Sequence, residues 1–316
     1  MDEQAKPVWA GFWSRLGAFI VDGVVLGVVG YLIGFTLFDR LAALGSFGRL
    51  IGLVLAVTYF GVLGSGLGNG QTLGKRLFKL QVLGLDGRPL SLARACGRAL
   101  VLVLPSILNG LFIAADPSVL TAVLGVLDIT IIFGVGLTQI YLYLFNRPGR
   151  RVLHDLIFGS AVVRAGMRPV AAPLTSARRI IATSILGLVF ALSTGLSVWA
   201  LAAQPKLFPA LTKPMQAVQR LADVMSAGVL DNTSQFYSGG QTTVTRTLVI
   251  NARMRTWPAD QHRAAARIAR VVLANYRFAP GQRLQINLQY GFELGIASGW
   301  RSYAFTDTPQ TWSAAP

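Results

Sequence analysis

Five stretches of this chain are apolar for long enough to cross a hydrocarbon core, which takes about 20 residues of helix. They run from about Leu16 to Phe38, Leu50 to Gly68, Ala99 to Ala115, Val119 to Phe145 and Ile180 to Ala203. Composition points the same way. The chain is 53% hydrophobic and 13% charged, against about 25% charged in ordinary soluble domains. The third stretch is the shortest and carries Pro105 and Asn109, so a tilted or re-entrant segment is the alternative to a full crossing there.

The net charge of +16 would suit a nucleic-acid binder if the charge were gathered on a soluble surface. Instead most of it sits in short loops between apolar runs. The N-terminal segment holds Lys6 and Arg15, and the loop 69–98 holds Lys75, Arg76, Lys79, Arg88, Arg94 and Arg98. The loop 146–179 holds Arg147, Arg150, Arg151, Arg164, Arg168, Arg178 and Arg179. These alternate with loops that carry only Arg40 and Arg49. Excess Lys and Arg stay cytoplasmic, which predicts an inside N-terminus and, with five crossings, an outside tail. If the third stretch did not cross, the loop with seven arginines would be exported. The tail itself is basic, but long translocated domains largely escape the charge rule. No short apolar core with a small-residue cleavage site opens the chain, so no removable signal is expected.

From residue 205 onward the pattern is that of a soluble domain. Met215, Val218, Leu221, Ala222 and Met225 are spaced like one face of a helix over 213–226. Ser238-Gly239-Gly240 separates two strands, the second being Thr242–Ala252, with β-branched alternation. Pro258 opens a helix to about Asn275, with Ala265, Ile268, Ala269 and Val272 on its inner side. Strands over about 283–290 and 296–306 follow. The expected fold is therefore an α-helical transmembrane bundle of about five spans, followed by a small extracytoplasmic α+β domain. The order of that domain is α-β-β-α-β-β, with an antiparallel sheet. The divisions are 1–168 for the basic-looped bundle, 169–204 for linker and fifth helix, and 205–316 for the outer domain.

Acids inside apolar spans are expensive and have to be paired or functional. Arg15 and Asp22 lie two helical turns apart on one face, about 10 Å along the axis. Asp128 sits in the middle of the fourth stretch, and Asn109 in the third could add an amide oxygen. Arg15, Asp22, Asp128 and Asn109 together form a candidate ion or proton site; the competing reading is plain interhelical hydrogen bonding. Asp155, surrounded by basic and apolar residues, is expected to return to the membrane surface and pair with Arg15 or Arg98.

Other features carry less. The run Gly61–Gly70 fails as a phosphate-binding loop, because Asn69 stands where its first glycine belongs and Arg76 follows Lys75. Gly64/Gly68 and Gly30/Gly34 suit close helix packing. Leu77–Leu83 with Asp86-Gly87 suggests a short hairpin whose basic residues meet anionic headgroups. The single Cys96 excludes an internal disulfide or a cysteine-built metal site. His154 and His262 form no ligand pattern, and no nucleophile has a base and an orienter. No enzyme activity, cofactor, metal or nucleic-acid partner is expected. The expected partners are the bilayer, anionic headgroups, and another copy of the chain or another membrane or envelope protein.

Three ordered motifs within about 7–164 resemble the RDD family of bacterial membrane proteins. Gly11-Phe12-Trp13-Ser14-Arg15-Leu16-Gly17-Ala18-Phe19-Ile20-Val21-Asp22-Gly23 is similar to that family's first helix, with Arg15 and Asp22 at its arginine and first aspartate. Gln71-Thr72-Leu73-Gly74-Lys75-Arg76, continuing to Leu85-Asp86-Gly87-Arg88-Pro89-Leu90-Ser91, resembles the loop after its second helix. Arg150-Arg151-Val152-Leu153-His154-Asp155-Leu156 resembles its closing segment, with Asp155 at the second aspartate. The resemblance implies an inner-membrane protein with a transport or ion/proton-coupling role. It says nothing of the tail, so a membrane-anchored scaffold or assembly factor whose outer domain binds an envelope partner is the alternative.

Overall fold

A computed structural model describes residues 8–109, 128, 130–146, 149–169, most of 184–199, 209–238 and 241–314. The chain divides into two units, one of 1–36, 46–200 and 293–298, the other of 37–45, 201–292 and 299–316.

The first unit is helical. Its helices α1 (Phe12–Thr36) and α3 (Gly48–Gly64, extended to Gly45 by a 3₁₀ turn) are both long and apolar enough to cross a membrane. On α1 the buried positions are Ala18, Asp22, Leu26, Gly30 and Gly34, one every fourth residue. Phe19, Ile20, Val24, Val28, Leu32 and Phe35 are exposed. Large apolar side chains outside, with three small residues, Leu26 and one acid inside, reverse the pattern of a soluble amphipathic helix. They suit a helix solvated by lipid. Helix α5 (Leu92–Leu108) contains Pro105 and packs on α3, where a Cβ on Gly61 would press on Cys96. Leu26, Ala56, Phe60, Ala99 and Val103 form the shared core. A π-helical turn, Thr130–Val135, leads into α6 (Gly136–Phe145), and a further apolar helical stretch covers Gly187–Leu196. The stretch 110–127 and residue 129, which hold the end of the expected third span and most of the start of the fourth, lie outside the described residues.

The expected local hairpin at 77–87 is replaced by a long-range pairing. After the short helix α4 (Leu73–Leu77), strand β1 (Leu80–Gly84) pairs antiparallel with β2 (Ser160–Arg164), which follows the short helix α7 (Leu153–Ile157). Trp9 joins this pair through a bridge to Val163. Asp86-Gly87 still makes a turn, with Gly87 at φ 76°, but that turn only returns the chain toward α5. Local β-propensity could not reveal a partner strand some 80 residues away. The glycine reading is corrected as well. A Cβ on Gly64 would meet nothing within 4 Å among the described residues, whereas one on Gly30 would strike Ile296 and Ala297.

The second unit is an α+β domain. It contains α2 (Phe38–Ala43), α8 (Pro209–Gln219), β3 (Val224–Ser238), β4 (Gln241–Met254), α9 (Gln261–Asn275), β5 (Arg283–Glu293), β6 (Ser298–Asp307) and α10 (Pro309–Ala314). The sheet order is β3-β4-β5-β6. It is mixed rather than antiparallel: β3 and β4 form a hairpin, but β4 and β5 run parallel. A parallel pair needs a crossover, and α9 supplies it, burying Ala265, Ile268, Ala269 and Val272 on Leu248, Ile250, Leu284 and Ile286. Asp260, rather than Pro258, starts that helix by accepting the Arg263 N–H. The first helix ends at Gln219, short of the expected 226. Val224 and Met225 belong to β3, where Val224 joins Val218 of the helix in one core.

Candidate functional site

Two carboxylates organise the polar interior of the first unit, and each has its own cage. Asp22, fully buried on α1, accepts from the Tyr59 hydroxyl at 2.7 Å and from the Gly74 N–H at 2.8 Å through Oδ1. Its Oδ2 accepts from the Thr72 hydroxyl at 2.6 Å. The Lys75 ammonium stands 3.9 Å from Oδ2 and 3.2 Å from Thr72 Oγ1, over the ring of Phe60. Thr72 is the N-cap of α4, accepting the Lys75 N–H. That cap turns the loop after α3 back against α1. Gly74 permits the approach, since a Cβ there would collide with the Ala18 carbonyl. Burial, followed by the nearby charge of Arg98, lowers the Lys75 ammonium to about 8, with Asp22 opposing the shift.

Asp155, fully buried on α7, is held from both sides. Its Oδ1 accepts from Arg98 Nε at 2.9 Å, Arg98 Nη2 at 2.7 Å and the Ser160 hydroxyl at 3.0 Å. Its Oδ2 accepts from Arg15 Nη2 at 3.1 Å and the Val152 N–H at 3.4 Å. Arg151 reaches the Ser160 and Asp155 carbonyls. Burial alone would raise the Asp155 carboxyl, but Arg98 and Arg15 hold it well below the carboxylate range. His154, bonded to Gln139 at 2.7 Å, is kept neutral by burial and by Arg98.

The grouping of Arg15, Asp22, Asp128 and Asn109 is therefore taken apart. Arg15 turns to Asp155, not to Asp22, whose nearby cation is Lys75. Asn109 caps the far end of α5, beside Ile107, whose carbonyl takes the Arg49 guanidinium. Arg49 is also the charge felt by Asp128. The reason is the fold of the loop: α4 brings Thr72 and Lys75 to Asp22 and leaves Asp128 and Asn109 with the opposite end of the helices. The N-cap pattern Thr72-x-x-Lys75 was the available signal for this contact; nothing in the sequence marked Tyr59 or Ser160. Among the described residues no three His, Cys, Asp or Glu side chains gather as a metal site would require.

An inward acid on a helix whose large apolar side chains lie outside, beside a second helix of spanning length, is what a membrane-embedded helical domain requires. Residues 9–159 match the model of the RDD family, so this half of the chain is an RDD-family membrane domain. It is similar to the uncharacterised protein YckC of Bacillus subtilis (strain 168), 28% identical over 156 residues, which are 49% of this chain and 85% of that protein. It is also similar to the uncharacterised protein YxaI of the same organism, 29% identical over 122 residues, 31% of this chain and 79% of that one. No family model matches the C-terminal domain.

Proposed function

We propose that this RDD-family protein couples proton movement to ion transport across a bacterial cytoplasmic membrane, with Lys75 and Asp22 as the coupling pair. The observation that carries the reading is a lysine whose side chain is 12% exposed, lowered to about 8 and placed 3.9 Å from a buried carboxylate. Loss of the Lys75 proton removes the cation nearest Asp22, and in this reading the transported cation takes the place of that ammonium beside the carboxylate. The charges that set the poise are Asp22 and Arg15 on α1, Arg98 on α5 and Asp155 on α7.

A five-span arrangement, with the N-terminus inside and the tail outside, accompanies this reading. Trp9, β1 and β2 share one small sheet, which suits a common cytoplasmic face for the N-terminus and both basic loops. The connection between α1 and α3 packs with the tail strands: Phe38 meets Phe292 at 5.5 Å, and Asp39 accepts from the Tyr290 hydroxyl at 2.8 Å. That contact favours one common side for this connection and the tail. A reporter active only outside the cytoplasm should then work after Pro316 and fail near Arg164; reversed signals overturn the topology.

The scaffold reading has one observation in its favour. The sheet face away from α9 is polar, with Gln285, Asn287 and Asn251 joined side chain to side chain. The two readings part in proteoliposomes. Coupling predicts cation-dependent proton flux for the wild type and its loss in Asp22→Asn and Lys75→Met, each checked for monodispersity. A wild type without flux under any monovalent cation gradient ends the coupling reading.

A further inference from the structure

Between α1, α5 and α6 lies a cavity of about 260 Å³, and Lys75 of the proposed coupling pair stands in its wall. Among the described residues three cationic side chains line it, Arg15, Lys75 and Arg98, and no carboxylate does. Asp155 holds its two arginines from behind, and one carboxylate cannot balance both guanidinium groups. The rest of the wall is mainly apolar, with Leu16, Phe19, Leu102 and Ile140 among its members. Phe19 is 50% exposed and Ile140 57% exposed, and both stand on the apolar outer surface of their helices. The mouth is thus framed by residues that face lipid.

We propose that this cavity seats the phosphodiester headgroup and proximal acyl chain of an anionic phospholipid. A phosphodiester carries one negative charge and accepts from guanidinium and ammonium groups in short, charge-assisted bonds. An acyl chain leaving the headgroup meets Leu102, Phe19 and Ile140 on its way to the bilayer. A zwitterionic lipid brings the same phosphate, but also an ammonium that three lining cations repel. A soluble phosphate fills the polar end and leaves the apolar wall uncovered.

The test is native mass spectrometry of the full-length protein in detergent, titrated with phosphatidylglycerol, phosphatidylcholine or glycerol 3-phosphate. One phosphatidylglycerol should be retained, about five- to tenfold more tightly than phosphatidylcholine, as roughly one extra favourable charge contact implies. Lys75→Met should remove most of that preference. Ile140→Trp, which fills the mouth without changing charge, should weaken both lipids. Equal retention of the two lipids overturns the proposal, as does unchanged binding in Ile140→Trp. Displacement by glycerol 3-phosphate at matching concentration overturns the lipid assignment in favour of a soluble anion. None of these readouts depends on flux, so failure here is distinct from failure of the coupling reading.

Discussion

Replacing Asp155 with alanine removes the acceptor shared by two arginines whose side chains are 8% and 7% exposed. Five donor contacts are lost: two from Arg98 and one each from Arg15, Ser160 and the Val152 N–H. Breaking a buried pair by removing one partner costs about 3–5 kcal/mol, because the other charge stays buried and uncompensated. For a domain of this size that corresponds to a fall in melting temperature of roughly 10 °C. Asp86→Ala is the control: its carboxylate accepts the Arg88 N–H in an exposed turn, and surface changes of this kind stay near 0.5 kcal/mol, on the order of a degree or two. Thermal unfolding of both variants in one detergent is the assay. Asp155→Asn, which keeps acceptor capacity and loses charge, should fall between them. Equal small shifts for Asp155→Ala and Asp86→Ala would refute the clamp.

Gly74→Ala should destabilise the same domain by about 1–3 kcal/mol, since its Cβ meets the Ala18 carbonyl and comes within 2.9 Å of Asp22 Oδ1; a melting temperature equal to wild type would show that α4 is not seated on α1. Lys75 predicts a pH dependence. Its folded value of about 8 lies below the ordinary 10.5, so between these values the unfolded chain binds more protons and stability rises with pH. The rise totals about 3 kcal/mol, and it is the difference between wild type and Lys75→Met across that range that measures it. A flat difference curve would place Lys75 in water.

What could be read from the residues follows the range of the interactions involved. The apolar runs and the α-β-β-α-β-β order depend on local periodicity, and the helices over 12–36, 48–64 and 261–275 follow it. The pairing of Asp155 with Arg15 and Arg98 was legible because a buried acid among cations has few alternatives. The partners of Asp22 were not, since they depend on a loop that folds back through the cap at Thr72. Likewise, β1 gives no local hint that its partner is β2, nor does β4 that it runs parallel to β5. In each case the missing information is the crossover, which no short window contains.

The charges around the cavity connect the two proposals. Asp22 and Asp155 supply two negative charges against Lys75, Arg15 and Arg98, and Arg151 adds to the excess. Apolar surroundings penalise such an imbalance far more than water does. The arginines cannot relieve it, because guanidinium groups keep their protons. Two routes remain: Lys75 releases its proton, or the cavity takes up an anion. A phosphodiester in the cavity therefore holds Lys75 protonated and moves its titration upward, while an empty cavity favours release. On the coupling reading this makes anionic lipid a brake at neutral pH, and it fixes the direction of the effect. Proton flux in phosphatidylcholine vesicles should exceed that in phosphatidylglycerol vesicles, and Ile140→Trp should abolish the difference without abolishing flux. Faster flux with phosphatidylglycerol would break the link, leaving the lipid as a structural partner alone.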